Sequence, residues 1–355
     1  MLRLLFFISF FLFANFSFAQ NWQLIWEDNF DGTELDSTKW MQEYGTGAQY
    51  NMWGWGNGEL QHYQSQNTTL NNGIATIEVK EEPSGIVETY WNTTSYYSSS
   101  KISTKGIFDF RYGKVEARMK TIDGQGFWPA FWMLPTGGNW PCDGEIDIME
   151  QWGGNYFTNG TTGAAHIGTC PYSQSSHFYE NFTTYISSGS YADDFHTYSI
   201  IWKEDTITWF VDEIELFSIN PSSYWSIPLQ HNWPFNSSEW YLMINLAITQ
   251  AGPNTNTIFP NQIEIDYVRV YKENLTSINN SNESTYFNNF IEDFIILSNN
   301  RLTKIKIFNI HGKLILEDNI NGINKIDVRD FSSGMYVLQV KDEFGHISNK
   351  KIIIK

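Results

Sequence analysis

The chain has 355 residues, of which 41% are hydrophobic, enough for one large all-β domain and a small one or for two to three ordinary domains. A formal net charge of −17 argues against DNA or RNA as a partner, because nucleic-acid binding needs clustered Lys and Arg side chains. A neutral or polar substrate suits this charge better. The aromatic fraction of 17% fits β-sheet packing and also a cleft in which aromatic rings stack on flat sugar faces.

A secretory signal peptide is predicted at the N-terminus. Arg3 precedes a long apolar run, and the small-x-small sequence SFA at 17–19 provides a cleavage site. We assign residues 1–19 to a signal peptide, with a transmembrane anchor as the weaker alternative, and expect a protein that is secreted or attached to the cell surface. No later stretch is long and apolar enough to span a membrane, so we expect no membrane-spanning segment in the mature protein.

Short alternating segments separated by Gly, Asn, Asp, Ser and Pro fill the chain from Trp22 to about Lys272. Clear strand patterns are GKVEARMKTID (113–123), TYSIIWKEDTITWFVDEIELF (197–217) and QIEIDYVRVYK (262–272). No long segment has helical periodicity, so the pattern predicts an all-β domain, either a sandwich or a barrel.

The two cysteines leave two alternatives open. In a secreted chain, Cys142 and Cys170 can form a disulfide, which would brace the segment before Glu145. Two separate buried thiols are the other possibility. The sequence contains no CxxC pair and no HExxH motif, so it supports neither metal ligation by cysteine nor a zinc hydrolase.

The composition changes near residue 275. ENLTSINNSNES (273–284) is polar and rich in Asn and Ser, which predicts a linker. All 15 Trp precede it, whereas residues 301–355 contain ten of the 22 Lys and Arg. Short strand patterns predict a small β-sandwich over residues 285–355. This region carries no acid–base constellation, so we expect a role in targeting or attachment.

The segment GEIDIMEQWG (144–153) places three carboxylates in six residues. In a regular strand Glu145 and Asp147 share a face, but Glu150 points to the other one. A β-bulge at Ile148–Met149 would return Glu150 to the face of the other two acids. We therefore predict a bulged strand that presents three acids along one wall of a cleft.

Three adjacent carboxyls raise one another's pKa. A retaining glycosidase uses this effect, because it needs an ionised carboxylate as nucleophile and a protonated carboxyl as general acid, roughly 5–5.5 Å apart. A solvated strand face or a Ca²⁺ site is the alternative. The flanking segments FWPAFWMLP and QWGG favour the glycosidase interpretation.

The motif EIDIME resembles the bulged active-site motif E-x-D-x-x-E of glycoside hydrolase family 16. Further matching segments are WGNGELQHY (55–63), YGKVEARMK (112–120), GFWPAFWMLP (126–135), DDFHTYSIIW (193–202) and IDYVRVY (265–271). Together they resemble the laminarinases, endo-acting β-1,3-glucanases, over roughly residues 22–272. The resemblance implies a concave β-sandwich jelly roll, a catalytic domain at 20–272, and no cofactor for catalysis. It also implies that Glu145 is the nucleophile, Asp147 the assisting acid and Glu150 the general acid/base of a double displacement.

Six further residues are assigned to substrate binding by their positions in the family pattern. They are Asn57, Arg111, Trp128, Trp132, Trp152 and His166. The tryptophans would stack on sugar rings, with a place in the core as the alternative. The asparagine would bond sugar hydroxyls. For the arginine the alternative is a surface ion pair. The histidine would bind substrate or bond a catalytic carboxylate, and a structural role is the alternative.

The sequence also suggests a structural calcium site. Alternation in QIEIDYVRVYK puts Asp266 on the apolar face of Val268 and Val270, where a buried carboxylate needs a partner. Ca²⁺ is a natural partner because it prefers oxygen ligands. The family resemblance adds Gly73, through a backbone oxygen, and Asn29 as matching ligands. A salt bridge or hydrogen bonds to Asp266 are the alternative.

The tail motifs IFNIHGK, SSGMYVLQV and KKIIIK resemble the C-terminal sorting domain of the type IX secretion route. This resemblance implies export and a partner in the secretion machinery, and an accessory carbohydrate-binding module is the alternative. The complete pattern predicts a secreted, monomeric endo-1,3-β-glucanase acting on a laminarin-type polysaccharide. Mixed-linkage β-glucan or an agar-type galactan as substrate, transglycosylation, and a non-catalytic glucan-binding protein are the alternatives.

Overall fold

The computed structural model describes residues 22–154, 159–222, 233–273, 290–291, 294–297, 302–319, 324–343 and 347–354. The predicted signal peptide and all but one residue of the predicted linker lie outside this part of the chain. The chain divides into two compact units, Met1–Glu273 and Asn274–Lys355. Within the described residues, no helix combines the length and the apolar character needed to cross a membrane.

β-Strands make up most of the described first unit, as the alternating segments predict. They are β1 (Trp22–Asp28), β2 (Met41–Gln42), β3 (Gln61–Tyr63), β4 (Thr68–Asn71), β5 (Ile74–Glu88), β6 (Thr93–Ser99), β7 (Lys101–Ser103), β8 (Gly113–Lys120), β9 (Phe127–Pro135), β10 (Glu145–Glu150), β11 (Gly160–Gly168), β12 (His177–Tyr185), β13 (His196–Lys203), β14 (Thr206–Val211), β15 (Ile214–Ile219), β16 (Trp240–Ile248) and β17 (Asn261–Glu273). Short 3-10 helices span Ala48–Tyr50, Trp53–Gly56, Ser65–Asn67, Gln174–Ser176 and Pro234–Asn236.

In the described part of this unit the strands form two sheets. The larger sheet has the order β15-β14-β13-β8-β17-β5-β6-β3, with β1 beside β17 and β4 beside β5, and the smaller sheet has the order β12-β11-β10-β9-β16-β7-β2. One core cluster contains side chains from both sheets, among them Val115 of β8 and Phe131 of β9. Trp202 of β13 meets Trp240 of β16 with ring centroids 5.8 Å apart. The predicted β-sandwich is therefore confirmed.

The smaller sheet has one face in this core and one face that carries polar and aromatic side chains. In β16, Leu242 and Ile244 belong to the core cluster. Asn245 alternates with them and accepts a hydrogen bond from the indole N–H of Trp132 on β9. We call the face that carries Trp132 and Asn245 the polar face.

The described residues of the second unit are also mostly β-strands. They are β18 (Phe290–Ile291), β19 (Phe294–Leu297), β20 (Leu302–Asn309), β21 (Leu314–Asn319), β22 (Asn324–Asp327), β23 (Gly334–Asp342) and β24 (Ile347–Ile354). One sheet has the order β18-β24-β23-β20-β21, and β19 pairs with β22. Ile305 of β20 and Ile326 of β22 belong to one core cluster, so the two layers share a core.

Candidate active site

The three acids lie on β10, between β9 and β11. The register against β11 shifts by one residue between Asp147 and Glu150, and the same shift occurs against β9. Ile148 and Met149, the residues of the predicted bulge, are buried. The bulge is therefore confirmed, and it brings Glu150 close enough to Asp147 and Glu145 for their charges to act on its pKa.

Burial controls the protonation of these acids. Asp147 and Glu150 are only 2% and 7% exposed, and Glu145 is partly buried. Burial raises the pKa of Glu145 to about 8, with a further rise from the Asp147 carboxylate, and burial raises the pKa of Asp147 to about 7. Burial followed by the charge of Asp147 also raises the pKa of Glu150 well above its usual range. Burial and mutual repulsion therefore favour the protonated forms of these acids over their charged forms.

Two tryptophan N–H groups hold the acids in place. Trp128 donates its Nε1–H to Glu150 Oε1 at 2.9 Å. Trp209, on β14 of the other sheet, donates its Nε1–H to the backbone carbonyl of Asp147 at 2.8 Å. One acid is thus fixed through its carboxylate and another through its backbone.

A histidine pair continues the site across β11 and β12. His166 Nε2 lies 3.0 Å from Asp147 Oδ2, and His166 Nδ1 lies 2.9 Å from His177 Nε2. Burial and then His166 lower the pKa of His177. Both ring nitrogens of His166 have partners, so its orientation is fixed from two sides. The structure therefore places the predicted His166 against a candidate catalytic carboxylate. It also adds His177, which the sequence did not single out.

The three predicted tryptophans also lie at the site. Trp128 and Trp132, four residues apart on β9, are partly exposed between buried core residues of the same strand. The ring centroid of Trp152 lies 6.0 Å from that of Trp128. Trp132 donates its Nε1–H to Asn245 Oδ1 at 2.7 Å. The rings therefore line the polar face beside the acids, and their stacking on sugar stays a prediction.

A buried lysine on this face was missed in the sequence. Lys101 of β7 is 7% exposed, and its Nζ lies 4.4 Å from the ring centroid of Trp55 and 4.8 Å from that of Trp132. Burial lowers the pKa of Lys101. Nearby carboxylates oppose this shift, and Glu59 makes the largest contribution among them. A three-residue strand gives no sequence signal for such a position. Asn245 was also missed. It is the one amide in the strand WYLMINLAI, in which the other side chains are aliphatic, aromatic or Met.

Asn57 is connected to Lys101 through the side chain of Glu59. Its Nδ2 donates to Glu59 Oε1 at 3.4 Å. Gln61 Nε2 and the Tyr63 hydroxyl donate to Glu59 Oε2 at 2.6 and 3.1 Å. Asn57 is thus connected through Glu59 to the charge of Lys101. Its bond to a sugar hydroxyl stays a prediction.

Arg111 lies in different surroundings. Its Nη1 donates to the backbone carbonyl of Asn236 at 3.3 Å, and its guanidinium lies 5.3 Å from the ring centroid of Tyr112. Burial raises the pKa of Tyr112, and the charges of Glu204 and Asp205 raise it further. These two acids lie at the turn between β13 and β14 of the other sheet. None of these contacts of Arg111 is with one of the three acids, and its role in substrate binding stays a prediction.

The predicted position of Asp266 on the apolar face is wrong. β17 has an irregularity between Ile265 and Tyr267 against β8, which shifts the alternation by one residue. Asp266 is consequently only partly buried, and Arg118 Nη1 donates to its Oδ2 at 2.6 Å. The alternative, a salt bridge, is what the structure shows.

The other two predicted calcium ligands lie close together. A Cβ built on Gly73 would lie 3.7 Å from the backbone oxygen of Asn29. The side-chain oxygen of Asn29 accepts a hydrogen bond from Arg269 Nη2 at 2.9 Å. Both side chains of the predicted site therefore have arginine partners, and in this arrangement they do not fit a Ca²⁺ ion, which needs several free oxygen ligands. Calcium binding here stays a prediction.

Cys142 and Cys170 form a disulfide, with Cα atoms 5.6 Å apart. The bond connects the segment before β10 to the segment after β11. The 28-residue separation that it closes contains the three acids and His166. Of the two alternatives open from the sequence, the structure thus has the one that braces the site.

Comparisons with known proteins agree with this geometry. Residues 57–269 match the family model described as Glycosyl hydrolases family 16. The chain belongs to glycosyl hydrolases family 16. This family 16 chain is 39% identical to Glucan endo-1,3-beta-glucosidase A1 of Niallia circulans over 70% of its own length, but it spans only 38% of that relative. It is 33% identical to Beta-glucanase of Rhodothermus marinus, over 72% of the chain and 86% of the relative.

A solved structure has the same fold. The family 16 chain matches the catalytic domain of an endo-1,3-beta-glucanase (laminarinase) from Thermotoga petrophila RKU-1 with a TM-score of 0.64 and 34% identity. The match covers 72% of this chain and 99% of that one. Residues 286–355 match a second family model, the Secretion system C-terminal sorting domain. Both resemblances read from the sequence motifs are therefore confirmed.

Proposed function

We propose that this protein is a secreted endo-1,3-β-glucanase that cleaves laminarin-type glucan with retention of configuration. The observation that carries the proposal is the bulge in β10, which gathers Glu145, Asp147 and Glu150 in one site and leaves two of them buried. The activities named for the relatives, a glucan endo-1,3-beta-glucosidase and a laminarinase, support the choice of β-1,3-glucan as substrate.

Glu150 is assigned as the general acid and then the general base. Burial raises its pKa, which favours the protonated form that a general acid needs. In the first step it gives this proton to the glycosidic oxygen while a Glu145 oxygen attacks the anomeric carbon and the glycosidic bond breaks. In the second step Glu150 removes a proton from water, which attacks the same carbon and displaces Glu145. Two inversions leave the configuration retained.

Glu145 must be ionised in order to attack. Burial and Asp147 raise its pKa, whereas His166 and a hydrogen bond from Trp140 act in the opposite direction. A proton on Asp147 removes the repulsion and allows Asp147 to hydrogen-bond the Glu145 carboxylate. We assign Asp147 this role, with His166 as its second partner at 3.0 Å.

The polar face supplies the groups for a neutral sugar chain. Trp128, Trp132 and Trp152 are assigned to stacking against sugar rings, because their indoles lie beside the acids. Asn57, which is connected to Lys101 through Glu59, is assigned to hydrogen bonding with sugar hydroxyls. The two-carboxyl mechanism uses only these side chains and water, so we propose no cofactor for catalysis.

The C-terminal unit accounts for export. Residues 286–355 carry the sorting domain of a secretion system, so the protein belongs among exported proteins and has the secretion machinery as a partner. We propose a monomer, in which one chain supplies the three acids and the side chains that hold them.

The proposal is tested by comparing the unmodified protein with Glu145→Ser on laminarin, barley mixed-linkage glucan and agarose. Reducing ends and product sizes report internal cleavage, and proton NMR reports the anomer released first. We expect β-anomeric products from laminarin, their loss in Glu145→Ser, and unchanged activity in Glu215→Ser, an exposed carboxylate on β15 of the other sheet. Cleavage of another polymer alone would overturn the substrate but keep the mechanism. Binding without cleavage by the unmodified protein would leave a glucan-binding protein.

A further inference from the structure

A cavity lies at the β2 edge of the smaller sheet, outside the site described above. Its volume is about 600 Å³, and the side chains that line it include Glu43, Tyr44, Tyr50, His62, Glu88 and Tyr90. We call it the tyrosine pocket. Its lining comes from β2 and the segment after it, from β3, and from the end of the β5–β6 hairpin, where Tyr90 lies.

The tyrosine pocket borders the polar face: the ring of Tyr50, which lines the pocket, lies 5.8 Å from that of Trp55, over which Lys101 lies. Glu43 donates its backbone N–H to the carbonyl of Lys101, so it extends the sheet next to β7. Lys101 pairs with Asn245 of β16, and Asn245 holds Trp132. Trp132 pairs with Asp147 on β10. One row of neighbouring residues therefore leads from the candidate catalytic acids to the pocket.

The length of this row determines what could reach the pocket. Four strand spacings separate β10 from β2, which at about 4.8 Å each is about 19 Å. A short oligosaccharide that spans only the acids would not reach this far, whereas a polymer lying across the strands would. Only a long ligand can therefore contact the candidate catalytic acids and the tyrosine pocket at the same time.

The chemistry of the pocket suits a neutral sugar chain. Tyr44, Tyr50 and Tyr90 are 53%, 42% and 65% exposed, which is unusual for large rings in one place and offers flat faces for stacking. The Tyr50 hydroxyl donates to Glu43 Oε2 at 2.9 Å, so this ring is held in position. Glu88 adds carboxylate oxygens that can accept hydrogen bonds from sugar hydroxyls. An anionic polymer would be repelled by these carboxylates.

We propose that the tyrosine pocket binds the glucan chain several sugar units away from the bond that is cleaved. This inference rests on the proposed function and adds to it a preference for long chains. A glucan held at the pocket and at the acids gains a second set of contacts, so polymers bind more tightly than oligosaccharides.

The test compares Tyr90→Ala and Tyr44→Ala with the unmodified full chain on laminarin and on laminaritriose. The matched control is Tyr96→Ala, which removes a ring of similar exposure, 57%, from β6 outside the pocket. We expect each pocket variant to lower kcat/KM on laminarin roughly fivefold, through KM, because a stacked ring contributes about that much. On laminaritriose kcat/KM should stay within twofold. Equal losses on both substrates, or no loss on laminarin, would overturn the proposal.

A binding measurement separates this proposal from the proposed function. In affinity electrophoresis through gels containing laminarin, retardation reports binding without any need for cleavage. We expect less retardation of Tyr90→Ala and Tyr44→Ala than of the unmodified protein and Tyr96→Ala. An inactive protein with this pattern would sink the glucanase activity and keep the pocket. An active protein with equal retardation in all four would keep the activity and sink the pocket.

Discussion

Replacing Trp128 with phenylalanine removes an indole N–H that contacts the proposed acid/base while leaving an aromatic ring in place. Trp128 Nε1 lies 2.9 Å from Glu150 Oε1, and this bond stabilises the ionised carboxylate. The bond lowers the pKa of Glu150, against burial, which is the largest cause of its rise. Without the donor, the ionised form loses a partner and the pKa of Glu150 rises further.

The size of the pKa shift follows from the free energy that such a hydrogen bond contributes. A hydrogen bond to a charged group contributes about 1.5 kcal/mol or more, and about 1.4 kcal/mol corresponds to one pH unit. Glu150 is 7% exposed, so water cannot fully replace the lost donor. The first chemical step needs protonated Glu150. We therefore expect the alkaline limb of kcat/KM to move to higher pH by about one pH unit.

The assay is the pH dependence of kcat/KM on laminarin for unmodified protein, Trp128→Phe and Trp132→Phe. Trp132 donates to Asn245 instead of to an acid, so its variant loses an indole N–H without touching Glu150. Its alkaline limb should stay in place, whatever happens to KM. An alkaline limb that stays fixed or moves to lower pH in Trp128→Phe would refute the reasoning and remove Glu150 as the group that sets this limb.

Three further predictions concern the packing beside the site, its disulfide and the calcium site predicted from the sequence. In Gly163→Ala the new Cβ would lie 2.5 Å from Trp209 Cδ1, so we expect a loss of about 1–3 kcal/mol in unfolding free energy by urea denaturation. Breaking the Cys142–Cys170 bond, by Ser substitution of both residues, should cost about 3–4 kcal/mol in the same assay, given its 28-residue separation. An unchanged midpoint in either variant would contradict the packing or loop-closure argument. Because Asp266 and Asn29 already have arginine partners, we expect EDTA to leave the melting temperature unchanged; a fall that Ca²⁺ reverses, and that is absent in Asp266→Asn, would instead support the calcium site predicted from the sequence.

Two bulges show what the sequence does and does not reveal. In EIDIME the third acid falls out of step with the first two, and the bulge between Asp147 and Glu150 could be predicted from that spacing. In QIEIDYVRVYK the alternation also changes phase, since buried Ile265 is followed by buried Val268. Reading the strand backwards from Val268 put Asp266 inside, whereas reading it forwards from Ile265 leaves it outside. The signal was present, and only the assumption of a regular strand hid it.

The missed residues share a different cause. Lys101 reaches the site because β7 pairs with β16, about 140 residues later in the chain, and His177 reaches it because β12 pairs with β11. Neither position differs locally from any other polar residue in a strand. Such residues become visible only when the strand order is known, because neighbours across a sheet are set by topology and not by spacing in the sequence.

The bulge itself depends on the opposite sheet. A bulge leaves backbone groups without their regular ladder partners, and buried carbonyls need one. The Asp147 carbonyl finds it in the indole N–H of Trp209, which belongs to β14 and is 1% exposed. The conformation that gathers the acids is therefore fixed by packing between the sheets as well as by β10. It follows that Trp209→Phe, which keeps the ring but removes the donor, should impair catalysis on laminarin more than its modest loss of unfolding free energy would predict.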